Sequence, residues 1–179
     1  MYGYDEDRDW YDVQEVCLNG HLITNYAQSQ PESRRAHCSS CGEKTISACL
    51  SCSAPLRGYH HMPGVIHFGS DDVDRFCDSC GALMPWTERG LTSVLDIAAM
   101  SEALSETEQE TLRDTVRALM VPSGQTEVAA LKLRKVISRL DEYERAALLR
   151  TLKVHATEAA REALGLVDAP AAAPSKRRR

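Results

Sequence analysis

The chain has 179 residues, a net charge of −5 and seven cysteines, a length that suits one domain or two small ones. Its acidic balance argues against a dominant phosphate-binding surface, because nucleic-acid binders rely on a basic field. No segment approaches the roughly 20 apolar residues that span a bilayer. The opening MYGYDEDRDW has neither the basic start nor the apolar stretch of a secretory signal, so a cytoplasmic protein is expected.

Residues 1–16 carry six acids against one base, with Tyr2, Tyr4, Trp10 and Tyr11 among them. This acidic aromatic lead is expected to be loose, free to dock on the protein's own folded part or on a partner.

Residues 17–90 hold every cysteine and five of the six histidines, but few large aliphatics. Such a segment lacks the core to offset its ordering entropy without metal. The cysteines fall into pairs: Cys17 with His21, Cys38 with Cys41, Cys49 with Cys52, and Cys77 with Cys80. The first pair is spaced C-x3-H and the others C-x2-C. Eight ligands complete two tetrahedral Zn²⁺ sites and leave no position for water or substrate, which is the pattern of structural zinc. Disulfides suit secreted chains, and a redox C-x-x-C is normally single. Gly42 and Gly81 follow directly on Cys41 and Cys80, where a tight turn lets backbone N–H groups face the thiolates.

Four pairs divide in three ways. The sequential division joins Cys17, His21, Cys38 and Cys41, then Cys49, Cys52, Cys77 and Cys80, making two zinc-ribbon β-hairpin modules. A nested division joins the middle pairs, and an interleaved one gives a RING-type cross-brace. Loop-closure entropy separates these by only about 1 kcal/mol. The knuckle glycines favour hairpins.

Between Cys52 and Cys77 lies a long arm containing His60, His61 and His67 and ending in Asp71, Asp72 and Asp74. It is the one stretch that imitates an active site, and it reads as a solvated hairpin loop. With all cysteines used as ligands no thiol nucleophile remains. Phosphate-cradling loops, G-x-S-x-G elbows and H-E-x-x-H helices are lacking. Phe76 and Trp86, beside the last knuckle, are expected to shield a metal from water.

Residues 91–166 lack cysteine and are rich in helix formers. The pattern predicts three to four helices in a bundle or hairpins. The first follows Gly90 and buries Leu91, Val94, Leu95, Ala98 and Leu104. Ser105-x-x-Glu108 opens the second as a capping box, burying Leu112, Val116, Leu119 and Met120. Pro122 and Gly124 break the chain, and Thr126 caps a third helix burying Val128, Leu131, Val136, Ile137 and Leu140. Asp141 with Glu144 opens a last helix that runs through Leu148, Leu152, Ala156 and Ala160 to a stop at Gly165. Residues 167–179 read as a disordered tail ending in the basic run Lys176–Arg179.

Together, VCLNGHLIT, HCSSCGEKTISACLSCSAPLRGY and FCDSCGALMPWTE, trailed by TEVAALKLRKVI, resemble a bacterial family catalogued as domain of unknown function 2321. The resemblance runs from about Cys17 to Leu164 and implies an α+β architecture and a bacterial setting without naming an activity. The expected function is a non-enzymatic, zinc-binding adaptor or regulator that presents a metal-stabilised surface to a protein partner. Its helices would self-associate or dock elsewhere, and no small-molecule substrate is indicated. The alternative is a nucleic-acid-binding, transcription-associated regulator using Arg34, Arg35, Arg57, Arg75 and the tail.

Overall fold

The computed structural model describes residues 9–64 and 71–167. Tyr2, Tyr4, His67, Phe68 and the Lys176–Arg179 run lie outside them. The fold is α+β, with small antiparallel sheets followed by helices, and it divides into two compact units at Arg89/Gly90.

The first unit is built on short strands rich in aromatic and β-branched residues. Strand β1 (Trp10–Val13) pairs with β5 (Arg57–His61), while β2 (Glu15–Cys17) is the central strand between β3 (Leu22–Thr24) and β4 (Thr45–Ile46). Register sets Trp10 opposite His61, Tyr11 opposite His60, Val16 opposite both Leu22 and Ile46, and Cys17 opposite Thr45. Residues 10–16, expected to be loose, are therefore paired strands. The acidic count hid this, because Asp12 and Glu15 are buried and satisfied inside the fold. The arm after Cys52 likewise finds its strand partner in β1 rather than in a hairpin of its own.

The core of this unit is small: Val16, Cys49, Cys77, Met84 and Trp86 are buried, with Leu22, Ile46, Leu56 and Val73 packed around them. The Trp86 indole N–H donates to the Asp74 carbonyl at 2.9 Å. Gly20, at φ +85°, lies so near that a Cβ there would stand 3.0 Å from the Trp86 Cβ.

Five helices are described: α1 (Pro85–Ala99), α2 (Glu106–Leu119), α3 (Thr126–Ile137), α4 (Glu142–His155) and α5 (Glu158–Leu164). Helix α1 starts before Gly90 rather than after it. Gly90 is buried mid-helix against the His155 ring, which occupies the place a Cβ would take. The glycine is a packing feature, not a boundary. Capping boxes at Ser105/Glu108 and Asp141/Glu144 are both formed. The last predicted helix is two: Ala156 turns extended and Thr157 caps α5, its hydroxyl accepting from the Ala160 N–H at 3.2 Å. Alanine-rich periodicity on both sides masked this threonine cap. Gly165, left-handed at φ 71°, ends α5.

The second unit's core takes Val94 and Ala98, the predicted α2 set Leu112, Val116, Leu119 and Met120, and Leu148, Leu152, Ala156 and Ala160. Helix α3 departs from expectation. Its buried residues are Ala129, Ala130, Leu133, Val136 and Ile137, whereas Val128 and Leu131 are 46% and 64% exposed. Thr126 does not cap it but donates its hydroxyl to the Ser123 carbonyl. The segment VAALKLRKVI has apolar residues on two faces, so periodicity alone permits either phase.

Candidate metal centres

Three knuckles share one construction. An antiparallel bridge closes each: His37 with Lys44 around Cys38–Cys41, Ala48 with Pro55 around Cys49–Cys52, and Phe76 with Leu83 around Cys77–Cys80. Within each, the first cysteine's N–H donates to a carbonyl five residues on (Glu43, Ala54, Ala82), and its own carbonyl accepts from the N–H four residues on (Gly42, Ser53, Gly81). That last residue must be left-handed, at φ 73°, 62° and 72° respectively. Glycine adopts this region freely; Ser53 pays about 1 kcal/mol for it. Replacing Ser53 by Gly is therefore expected to raise the stability of this unit by about 0.5–1 kcal/mol, read as a higher chemical-denaturation midpoint with unchanged metal content.

The knuckles meet in two groups, Cys17, His21, Cys38 and Cys41, and Cys49, Cys52, Cys77 and Cys80. This is the sequential division. Within each group the donor atoms all lie within 4.8 Å of one another, and the first residue of each pair is buried while the second is exposed. In the first group Cys17 Sγ is 3.8 Å from Cys41 Sγ, and His21 Nδ1 is 3.5 Å from Cys17 Sγ and 3.6 Å from Cys38 Sγ. In the second, Cys49 and Cys80 are 3.9 Å apart and Cys52 and Cys77 3.7 Å.

These separations test the fit of a metal. A tetrahedral ion bound at about 2.3 Å to sulfur and about 2.0–2.1 Å to nitrogen holds its sulfurs about 3.8 Å apart, with nitrogen about 3.5–3.6 Å from each sulfur. Both groups match these edges. A disulfide would need about 2.05 Å, and all seven cysteines are free thiols. Each group can hold a metal ion.

Electrostatics point the same way. Burial pushes the Cys38 thiol up, but the Ser40 and Cys41 N–H groups and the Cys41 and His21 side chains outweigh it and hold Cys38 at about 6. The Cys52 and Ser51 N–H groups hold Cys49 at about 7. Cys52 gains from the Ala54 N–H, yet crowding by Cys80, burial, Cys77 and Cys49 drives it to about 12. His21 is raised, chiefly by the Cys41 and Cys38 side chains. In the second cluster the Cys49 thiolate is thus favoured and that of Cys52 opposed, a conflict that a divalent cation relieves by neutralising both.

A supporting layer that motif reading missed surrounds the first group. Asn19 Nδ2 donates to Cys41 Sγ at 3.5 Å, and Arg89 pairs with both Asn19 and Glu43. The only sequence sign was an amide inside the C-x3-H knuckle. Around the second group, Trp86 packs with Cys49 and Cys77 in the buried core, as expected, and Phe76 is half-buried.

His60 and His61 sit in strand β5, not in a solvated loop. His61 stacks on Trp10 at 4.0 Å and His60 on Tyr11 at 4.2 Å, with Tyr59 edge-on to His61. His61 Nε2 lies 3.2 Å from Asp12, and His60 lies 3.7 Å from Asp9. Asp12 is the hub: its carboxylate accepts from the N–H groups of Val13, Gln28 and Ser29 and from the Ser29 hydroxyl. Burial acts to raise its pKa, but the Ser29 hydroxyl, the Gln28 and Val13 N–H groups and His61 outweigh that and hold it below the usual carboxylate value. Asp12→Ala is expected to cost about 2–4 kcal/mol, since it strands several buried donors. Asp12→Asn should cost less. Because the folded pKa is depressed, the wild-type advantage over Asp12→Asn is fully present above about pH 4 and shrinks as pH falls through the folded value; equilibrium unfolding at several pH values measures it.

A family profile described as "Uncharacterized protein conserved in bacteria (DUF2321)" matches residues 10–164, and the chain belongs to this family. No curated protein and no solved structure matches it. None of the described helices is long and apolar enough to cross a membrane.

Proposed function

We propose that this family member is a non-enzymatic adaptor or regulatory protein of the bacterial cytoplasm, in which two structural Zn²⁺ ions hold a ribbon surface for a protein partner. The observation that carries this reading is the completeness of the donor sets. Three cysteines with one histidine, and four cysteines, fill tetrahedral Zn²⁺ with no position left for a reacting water. Thiolate-rich sets with these edges suit Zn²⁺ better than oxygen-seeking cations. When bound, zinc would supply folding energy rather than chemistry, with Asn19 supporting the Cys41 thiolate.

The ribbon surface favours protein over nucleic acid. Arg34 is paired with Glu15 at 2.8 Å and Arg57 with Asp78 at 2.8 Å, so two of the arginines a phosphate-binding face would use are already neutralised. Leu50, at the tip of the Cys49–Cys52 knuckle, is 67% exposed, and Tyr11 is also exposed. Exposed apolar side chains on a rigid frame suit a protein contact.

Affinity capture from a native bacterial lysate, with wild type beside a Leu50→Glu, Tyr11→Ser variant, tests the reading. A stoichiometric partner retained by wild type and lost by the variant supports it. No partner, together with salt-dependent binding to DNA or RNA, would favour the nucleic-acid regulator instead.

A further inference from the structure

Helix α3 carries two apolar faces and its own unit covers only one. Along the other run Glu127, Val128, Leu131, Lys132 and Lys135, all exposed. At 100° per residue these five span an arc of about 140°, with Glu127 at one end, Lys135 about 12 Å further along the axis, and Leu131 midway. Among the described residues no salt bridge uses Glu127, Lys132 or Lys135, although other acids and bases on the helices do pair, as Glu108 and Arg139. Beside the stripe the α2–α3 surface is hollowed: two adjoining grooves of about 320 and 580 Å³ share Thr111 and Lys132 in their linings.

A face that is acidic at one end, apolar in the middle and basic at the other complements itself when reversed. A two-fold axis near Leu131 brings Leu131 against its own copy and each Glu127 beside the other chain's Lys135. Such an isologous contact makes every favourable pair twice. The reversed arrangement also sets the two helix macrodipoles antiparallel. We propose that a second copy of this chain covers the face, α3 packing antiparallel on α3. The contact lies wholly in the helical unit and does not depend on the zinc or adaptor reading.

The test is the oligomeric state of the full metal-loaded chain by light scattering and sedimentation. A dimer is expected, with a Kd on the order of 10 µM for so small a contact. Leu131→Glu should leave a monomer across that range, and Leu131→Gln should weaken the dimer, both with helical circular dichroism retained. Glu127→Lys and Lys135→Glu should each raise Kd about tenfold by placing like charges together twice. The double exchange, Glu127→Lys with Lys135→Glu, should restore the dimer. That restoration separates pairing between chains from a role in the helix's own dipole, since both exchanges oppose the dipole and would then be worse together. A wild type that stays monomeric at several hundred micromolar overturns the proposal. So does a dimer that survives Leu131→Glu, or a double exchange that fails to restore it.

Discussion

Removing metal with a strong chelator is expected to unfold the first unit as a whole while the helical unit keeps most of its circular-dichroism signal. The reason is the size of the first core. Besides the ligands Cys49 and Cys77, its buried cluster among the described residues comprises Val16, Met84 and Trp86, each contributing about 1.5–3 kcal/mol. Its strands are two to five residues long and its sheets have two and three strands, below what is stable alone in water. Structural zinc supplies on the order of 10 kcal/mol or more per site in small domains. Without it, the four sulfurs of the second site crowd within 4.8 Å of one another with no cation to bind them together. Limited proteolysis should accordingly cut the chelated protein within residues 9–89 and spare α2 to α5. Acid should imitate the chelator. Protons compete with the metal for the thiolates, so metal affinity should begin to weaken as pH falls below the metal-free values of about 7 for Cys49 and about 6 for Cys38.

The converse experiment targets the helices. Leu133→Ala is expected to cost about 3–5 kcal/mol, because Leu133 is fully buried in a core of Val116, Leu119, Leu148 and Leu152 that cannot collapse around so large a loss. A unit of this size has a total stability of about 5–10 kcal/mol, so half or more of it would go. Helical signal should melt at markedly lower denaturant, whereas metal content and the protease resistance of residues 9–64 should stay as in wild type. Loss of metal from Leu133→Ala would mean that the units do not unfold separately.

Much of the donor geometry was legible in the sequence, because knuckle spacing and turn glycines are local signals. The C-x2-C and C-x3-H pairs specify which atoms converge within a knuckle, and Ser105-x-x-Glu108 and Asp141 with Glu144 specify helix starts for the same reason. What the sequence concealed was set by distant partners. Asp12 and Glu15 look like solvent charges until the Ser29 hydroxyl and the N–H groups of Gln28, Ser29 and Arg35 are brought round to them. His60 and His61 look like loop residues until β1 supplies Trp10 and Tyr11 to stack on. Gly90 looks like a helix boundary until His155 takes the space beside it. Helix α3 had two apolar faces and no local feature to rank them; tertiary packing chose the one with Ala129, Ala130 and Leu133, leaving Val128 and Leu131 outside.

Native mass spectrometry tests whether the eight donors form two separate closed metal sites in sequential pairing. Wild type should carry two zinc ions per chain. Cys38→Ser and Cys77→Ser should each carry one, and the double variant none. The decisive comparison combines two changes within one group: Cys17→Ser with Cys41→Ser should still leave one ion, held by Cys49, Cys52, Cys77 and Cys80. Two ions in wild type and one in that variant is the predicted result. A wild-type stoichiometry of one, or loss of both ions on changing Cys17 and Cys41 alone, would rule out two closed sites in sequential pairing.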